Sequence, residues 1–231
     1  MTIRIAIVDD HPMVTDGLDA ALRTIDDLSV VAHGSSVADA RDLLARDDID
    51  VALLDVRLDD GNGIQALAER GPRSRPGVLV ISSFKTSQYV AASARFGAAG
   101  FLLKTVPLAS LVEAIRAVAD GRSVFTQDQL QKGFVTLTPR ERSVVRLAMD
   151  GLSNKEIGSR LTMSPKTVES HLTEIFERHG ITGGRIELSL RAAEEAWLDI
   201  ELPAPVGTAP RLVRLTRGRA PAPPICARIH R

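Results

Sequence analysis

Residues 51–70 read VALLDVRLDDGNGIQALAER. Val51–Leu54 is an apolar run with no polar alternation, and it ends in an acid, Asp55. A strand apolar on both faces must be covered on both, and in a parallel sheet helices supply the cover. Gly61 and Gly63 act as turn residues that lead into a helical pattern over Gly63–Glu69. The same unit recurs on either side. Ile3–Val8, Val30–Ala32, Val78–Ile81 and Phe101–Leu103 read as further buried strands. Pro12–Ile25, Val37–Arg46, Ser87–Phe96 and Pro107–Asp120 read as helices, with Pro12 and Pro107 suited to a first turn. Five strands alternating with five helices predict an α/β fold with a doubly wound five-stranded parallel sheet.

Past Gly121 the strand signals stop. Residues 121–135 are polar and weakly patterned, and residues 122–136 are taken as a linker. Leu137–Asp150, Ser153–Leu161, Ser164–His179 and Arg185–Leu198 are four helical segments with short connections, an all-α second domain over 137–202. From residue 203 to 231 the chain is rich in Pro, Ala and Arg, a composition that cannot bury a core and reads as a disordered tail. The first domain spans 1–121.

The net charge of zero hides an asymmetry. Residues 1–121 carry 12 Lys/Arg against 17 Asp/Glu, residues 122–202 carry 11 against 12, and residues 203–231 carry six arginines and no acid. An acidic front and a basic end point to different partners. No stretch approaches the ~20 apolar residues that cross a bilayer. The N-terminus runs as a strand into two acids, so it does not read as a secretory signal. Cys226 is the only cysteine, which excludes an internal disulfide and fits a reducing cytoplasm. The five histidines are scattered, so no zinc site is expected.

In a doubly wound sheet, ligands bind outside the carboxyl ends of the strands where strand order reverses. The first strand ends in Asp9 and Asp10, the third in Asp55, the fourth in Ser82 and the fifth in Lys104. Any one Asp at a strand end is equally well explained as a turn former. Three carboxylates, a hydroxyl and a lysine on one edge are not. Two carboxylates ~4 Å apart repel by about 4 kcal/mol at an effective dielectric of 20, so three acids must protonate in part or bind a cation. Lys104 neutralises one charge, and a hard divalent ion such as Mg²⁺ fills the remaining deficit. A metal opposite a lysine is what phosphoryl transfer to a carboxylate requires.

Asp9-Asp10, Asp55, Ser82 and Lys104, with GAAGFLLK at 97–104, resemble the receiver domain of two-component signalling over roughly residues 3–121. The resemblance implies that Asp55 takes a phosphoryl group from a phosphohistidine on a sensor histidine kinase. It implies Mg²⁺ held by Asp10, Asp55 and the main-chain carbonyl of Arg57, with Asp9 acting through water. Lys104 and Ser82 would contact the phosphoryl group, and Phe101 would be a rotating aromatic switch. Asp59 departs from the family, which commonly has proline there. Gly61-Asn62-Gly63-Ile64-Gln65-Ala66 also matches the dinucleotide pattern GxGxxA. A pyrophosphate there would face Asp55, Asp59 and Asp60, which repel it.

Thr138-Pro139-Arg140-Glu141 reads as a capping box with proline at the first helical position, and Ser164 as the N-cap of the third helix. A short helix, a three-residue turn and a polar-faced helix form the helix-turn-helix arrangement, although caps and helices alone fit any small bundle. LTPRERSVVRLAMDGLSNKEIGSRLTMSPKTVESHLTEIFERHGI resembles the DNA-binding domain of the NarL/FixJ (LuxR-type) family. By position Glu169, Ser170 and Thr173 would read bases in double-stranded DNA. Lys155, Lys166, Thr167 and His171 would meet phosphates, with helix packing the alternative for His171. The fourth helix is the family's dimerisation element. Glu169 replaces a residue that is usually basic, and GITGGR is one residue longer than the usual turn.

Together these readings describe a cytoplasmic two-component response regulator with no membrane partner. Phosphorylation of Asp55 would free the DNA-binding domain, or produce a homodimer, or both, and so regulate transcription. The chain would be no enzyme beyond catalysing its own phosphorylation and dephosphorylation. One rival is a phosphatase-like hydrolase with Asp55 as nucleophile, which wants a second Asp where this chain has Arg57. The other is a binding module with a vestigial first domain, against which the complete acidic edge argues.

Overall fold

The computed structural model describes residues 2–70, 75–131 and 133–200. The expected tail at 203–231 lies outside them. Strands β1 (Ile3–Val8), β2 (Leu28–Gly34), β3 (Val51–Asp55), β4 (Gly77–Ser82) and β5 (Gly100–Leu103) form one sheet in the order β2-β1-β3-β4-β5, every pairing parallel. Helices α1 (Pro12–Leu22), α2 (Val37–Leu44), α3 (Gly63–Arg70), α4 (Ser87–Arg95) and α5 (Leu108–Ala119) cover both faces.

The period of two along each strand divides the core. Ala6, Val8, Ala52, Leu54 and Val80 pack with Leu43, Ile64 and Val90 of α2, α3 and α4. Their strand neighbours Ile5, Ile7, Val51, Leu53 and Ile81 pack with Leu22, Leu111 and Ile115 of α1 and α5. Each fully buried aliphatic side chain stabilises the fold by about 1.5–3 kcal/mol. Because β1 and β3 are neighbours while their connections lie on opposite sides, the switch point falls between Asp9 and Asp55.

Some predicted boundaries shift. Pro107 is the N-cap of α5, with φ −58° and ψ 145°, and not part of its first turn. The helix predicted to reach Ile25 stops at Leu22, and the chain turns into β2 through the bond from the Leu28 amide to the Ile25 carbonyl. The stretch read as an unpatterned linker holds a short helix, α6 (Gln127–Gln131), and is docked on α4. Gln88 exchanges two hydrogen bonds with the backbone of Val135, at 2.8 and 2.9 Å, and Phe134 meets Phe96 edge-on.

The second half comprises α7 (Pro139–Met149), α8 (Asn154–Leu161), α9 (Pro165–His179) and α10 (Gly184–Glu194) around Val144, Ile157, Val168, Ile175, Leu188 and Trp197. Capping boxes start α7 (Thr138 with Glu141) and α8 (Ser153 with Glu156), and Ser164 caps α9. Thr162 to Ser164 form the three-residue turn, with Thr162 left-handed at φ 55°. Gly158 is required there, because a Cβ would stand 2.6 Å from the Met163 carbonyl oxygen. The fourth helix ends at Glu194 and not at Leu198. Ala196 is left-handed (φ 58°), and Arg142 of α7 draws off the carbonyls of Trp197, Leu198 and Ile200.

Candidate functional site

Strand ends bring the predicted acids together. The Asp55 side chain is 5% exposed and that of Asp9 fully buried, while Asp10 lies at the rim. One oxygen from each of these carboxylates and a ring nitrogen of His11 lie within 4.8 Å of one another. Lys104, one residue past β5, donates to Asp55 Oδ2 at 2.7 Å. Its ammonium is also 2.6 Å from Asp9 Oδ2, but off the hydrogen-bond axis, so that buried oxygen keeps charge contact without a hydrogen bond among the described residues. Asp55 Oδ1 accepts from the Val56 amide at 2.7 Å.

The electrostatics follow from burial. Desolvation pushes the Asp55 carboxyl up; Lys104 pulls it back without cancelling the rise. Burial works against the Lys104 charge too, but its hydrogen bond to Asp55 and its charge contact with Asp9 outweigh that and raise its pKa. One of the five scattered histidines, His11, stands at this acidic cluster. His11 Nδ1 is 2.6 Å from Asp10 Oδ1, and that contact raises the imidazole pKa. The sequence signal was its place directly after Asp9-Asp10, at the start of α1. A single lysine against three carboxylates leaves excess negative charge, and Asp9 Oδ2 lacks a hydrogen-bond donor. The residues present therefore fit a hard divalent cation with oxygen ligands.

Ser82, 1% exposed, follows Ile81, whose register partner is Asp55. Its hydroxyl accepts from the Phe84 amide at 3.1 Å. Phe101 is 2% exposed and faces the core. The glycines of the dinucleotide-like pattern have a packing role. A Cβ on Gly63 would stand 2.1 Å from the Asp55 carbonyl oxygen, so α3 is seated directly against the strand end. Asp60 serves α2, accepting from the Val37 amide at 2.8 Å. Arg57 sends its guanidinium to Tyr89 and Asp199, residues that the sequence reading did not single out.

On α8 and α9, Lys155, Lys166, Thr167, Glu169, Ser170 and Thr173 are exposed, and His171 is half-buried. Thr167 Oγ1 is 2.8 Å from the capping Ser164 hydroxyl, and Ser170 Oγ donates to the Lys166 carbonyl at 3.1 Å. Arg185 ties α10 to the start of α8 through the Leu152 carbonyl (2.6 Å) and the Asn154 side chain. Ile186 and Leu190 leave an apolar face of α10 exposed, at 77% and 57%. No described helix is long and apolar enough to cross a membrane.

Comparison with known proteins fits both halves. Residues 5–116 match the response regulator receiver domain, and residues 135–185 match the bacterial regulatory proteins of the luxR family. The transcriptional regulatory protein MctR of Rhizobium johnstonii is 32% identical over 78% of this chain and 88% of its own length. The DNA-binding transcriptional activator DevR/DosR of Mycobacterium tuberculosis is 31% identical over 78% of this chain and 89% of its own. RcsB of Salmonella enterica serovar Typhimurium, solved bound to promoter rprA in the presence of phosphomimetic BeF3⁻, is 25% identical. It aligns over 84% of this chain and 99% of that one with a TM-score of 0.55.

Proposed function

This chain belongs to the LuxR-type (NarL/FixJ) response regulators, which regulate transcription, and from that premise we propose that Asp55 is its phosphoacceptor. The supporting observation is Lys104 held between Asp55 and Asp9 beside a third carboxylate, at the switch point of the sheet. An oxygen of Asp55 attacks the phosphorus of a phosphohistidine on a sensor histidine kinase. The new P–O bond forms as the P–N bond breaks, and the imidazole leaves with the electron pair. Asp10, Asp55 and the Arg57 carbonyl would hold Mg²⁺, with Asp9 acting through water. The ion, when bound, neutralises charge on the transferred group. Lys104 offsets charge from the opposite side, and Ser82 bonds the phosphoryl group once it is in place. The chain's catalysis is confined to its own phosphorylation and dephosphorylation, and the kinase places it in the cytoplasm.

The response passes from residues 1–121, through 122–136, to the DNA-binding domain at 137–202. Ser82 and Phe101 shift to meet the phosphoryl group and bias the face around α4 and β5. Glu169, Ser170 and Thr173 read base edges in the major groove, while Lys155, Lys166, Thr167 and His171 meet phosphates. The exposed Ile186 and Leu190 support dimerisation through α10. Because the base-reading side chains are already exposed, activation works on dimerisation and domain placement and not on uncovering α9. A small phosphodonor with Mg²⁺ is expected to label wild-type protein, while Asp55→Asn stays unlabelled. Equal labelling of both would remove Asp55 from this role.

A further inference from the structure

Beyond α10 the chain crosses to the receiver. Ala196 (4% exposed) and Ile200 (2%) belong to the same apolar cluster as Val56, Leu58 and Tyr89. Asp199 between them is held at three points. Its Oδ2 accepts from the Tyr89 hydroxyl and, at 3.2 Å, from Arg57 Nη2; its main-chain carbonyl accepts from Asn62 Nδ2 at 3.2 Å. From the other side, Arg142 donates to the carbonyls of Trp197, Leu198 and Ile200 at 3.3, 2.5 and 2.7 Å. Residues 196–200 are thus shaped by the DNA-binding domain and received by the receiver.

The receiving surface includes a residue of the loop that follows the phosphoacceptor. Arg57 follows Asp55 by two residues, its side chain is 60% exposed, and its guanidinium lies 4.9 Å over the Phe84 ring. Tyr89 brings no charge to the contact, since burial first and then Asp199 push its phenol up to about 12. Among the described residues Arg57 is the cation paired with Asp199. A phosphoryl group on Asp55 brings about −1.5 to −2 charge, more than one carboxylate, to the residue two places before Arg57 in the chain.

Resting on the reading of Asp55 as phosphoacceptor, we propose that Arg57 is a positioning residue. It holds Asp199, and with it residues 196–200, on the receiver before phosphorylation, and releases them when the phosphoryl anion competes for its guanidinium. The Asp199 carboxylate, whose side chain is 36% exposed, then keeps only the Tyr89 hydroxyl, with the Asn62 amide on its main-chain carbonyl. The segment then undocks, and the DNA-binding domain separates from the receiver. This route from the pocket is separate from Ser82 and Phe101, because it runs through the loop after β3.

The test uses the full chain carrying Cys226→Ser, with spin labels at Asp48→Cys and Ser159→Cys, diluted into unlabelled protein so that only distances within one chain are read. The wild-type background is expected to give one short distance that lengthens on adding a small phosphodonor and Mg²⁺. With Asp199→Ala the long distance should be populated at least about fivefold more without phosphodonor. It should change little on adding phosphodonor, while Asp55 is labelled as before. An Asp199→Ala protein as compact and as responsive as the background would overturn the proposal. So would a background that is labelled at Asp55 yet keeps its short distance, and that result leaves the phosphoacceptor reading standing. Absence of labelling overturns both. Should Asp199→Ala fail to fold, Tyr89→Phe removes one donor at almost constant volume, and the same shift is expected from it.

Discussion

Lys104 donates a 2.7 Å hydrogen bond to Asp55 from 49 residues further along the chain, and only the parallel register of β3, β4 and β5 brings them together. The pair is poised rather than neutral. Burial keeps the Asp55 pKa raised even with the lysine present.

Removing that lysine leaves a buried carboxylate without its partner. Lys104→Ala is expected to cost about 3 kcal/mol in urea unfolding at neutral pH and to move the pH profile of Asp55 labelling upward. The sign for Mg²⁺ follows from the same shift. An acid whose folded pKa is raised adds stability below the ordinary carboxylate range and loses it as pH rises through the folded value. At neutral pH a cation binding only the folded state restores it, by about 2.7 kcal/mol at 100 times its Kd. Denaturation with and without Mg²⁺ should show this gain in the wild type and a much smaller one in Asp55→Asn.

Ser82 has a structural partner in the Phe84 amide, so its removal carries a cost of about 1 kcal/mol. Ser82→Ala is nonetheless expected to be labelled at Asp55. Its phosphorylation-dependent dimerisation, read by sedimentation, should fall. A response equal to the wild type's would break the link between Ser82, Phe101 and the α4–β5 face.

In the DNA-binding domain the corresponding buried charge is Glu141, 5% exposed, which closes the α7 capping box and pairs with Arg178 of α9. Burial pushes its carboxyl up, but Arg178 and the Thr138 amide more than reverse this, so the pKa ends lowered. A lowered folded pKa gives stability that is present above the ordinary glutamate range and lost as pH falls through the folded value. Glu141→Ala is expected to lose about 1 kcal/mol at neutral pH, chiefly through the broken capping box, since the Arg178 left behind is exposed to solvent. Glu141→Gln should flatten the acid limb of the unfolding curve. An unchanged acid limb would show that the Arg178 pair contributes nothing.

Much of this was legible in local sequence. Unalternating apolar runs ending in Asp9, Asp55, Ser82 and Lys104 were enough to predict the strands and the acidic edge, because strand ends and helix caps are written in neighbouring residues. The turn at Thr162–Ser164 was legible for the same reason. The docking of residues 125–135 and 196–200 was not. Phe125 and Phe134 sit in a polar stretch without period, and Asp199 matters only because Tyr89 and Arg57, 110 and 142 residues away, arrive beside it. The helix predicted to run on to Leu198 hid the break at Ala196, since intrinsic preference favours helix there and the carbonyl contacts from Arg142 override it.

The last prediction concerns the tail, whose structure lies outside the described residues. Arg211, Arg214, Arg217, Arg219, Arg228 and Arg231 carry no acid among them, while the DNA-binding domain itself is near neutral. A solvated extension without function and an electrostatic arm on DNA differ in the salt dependence of binding. Each phosphate neutralised adds about 0.9 to the slope of log K against log salt, so an arm using three arginines contributes roughly 2.7. Truncation after Leu202 is expected to lower affinity by a similar factor on every duplex and to reduce the slope by that amount. Preference among sequences should survive, because phosphate contacts carry no base information. The comparison needs titrations at several salt concentrations on at least two unrelated duplexes. If affinity and slope are both unchanged by truncation, the arginines make no contact with DNA and the tail is a solvated extension.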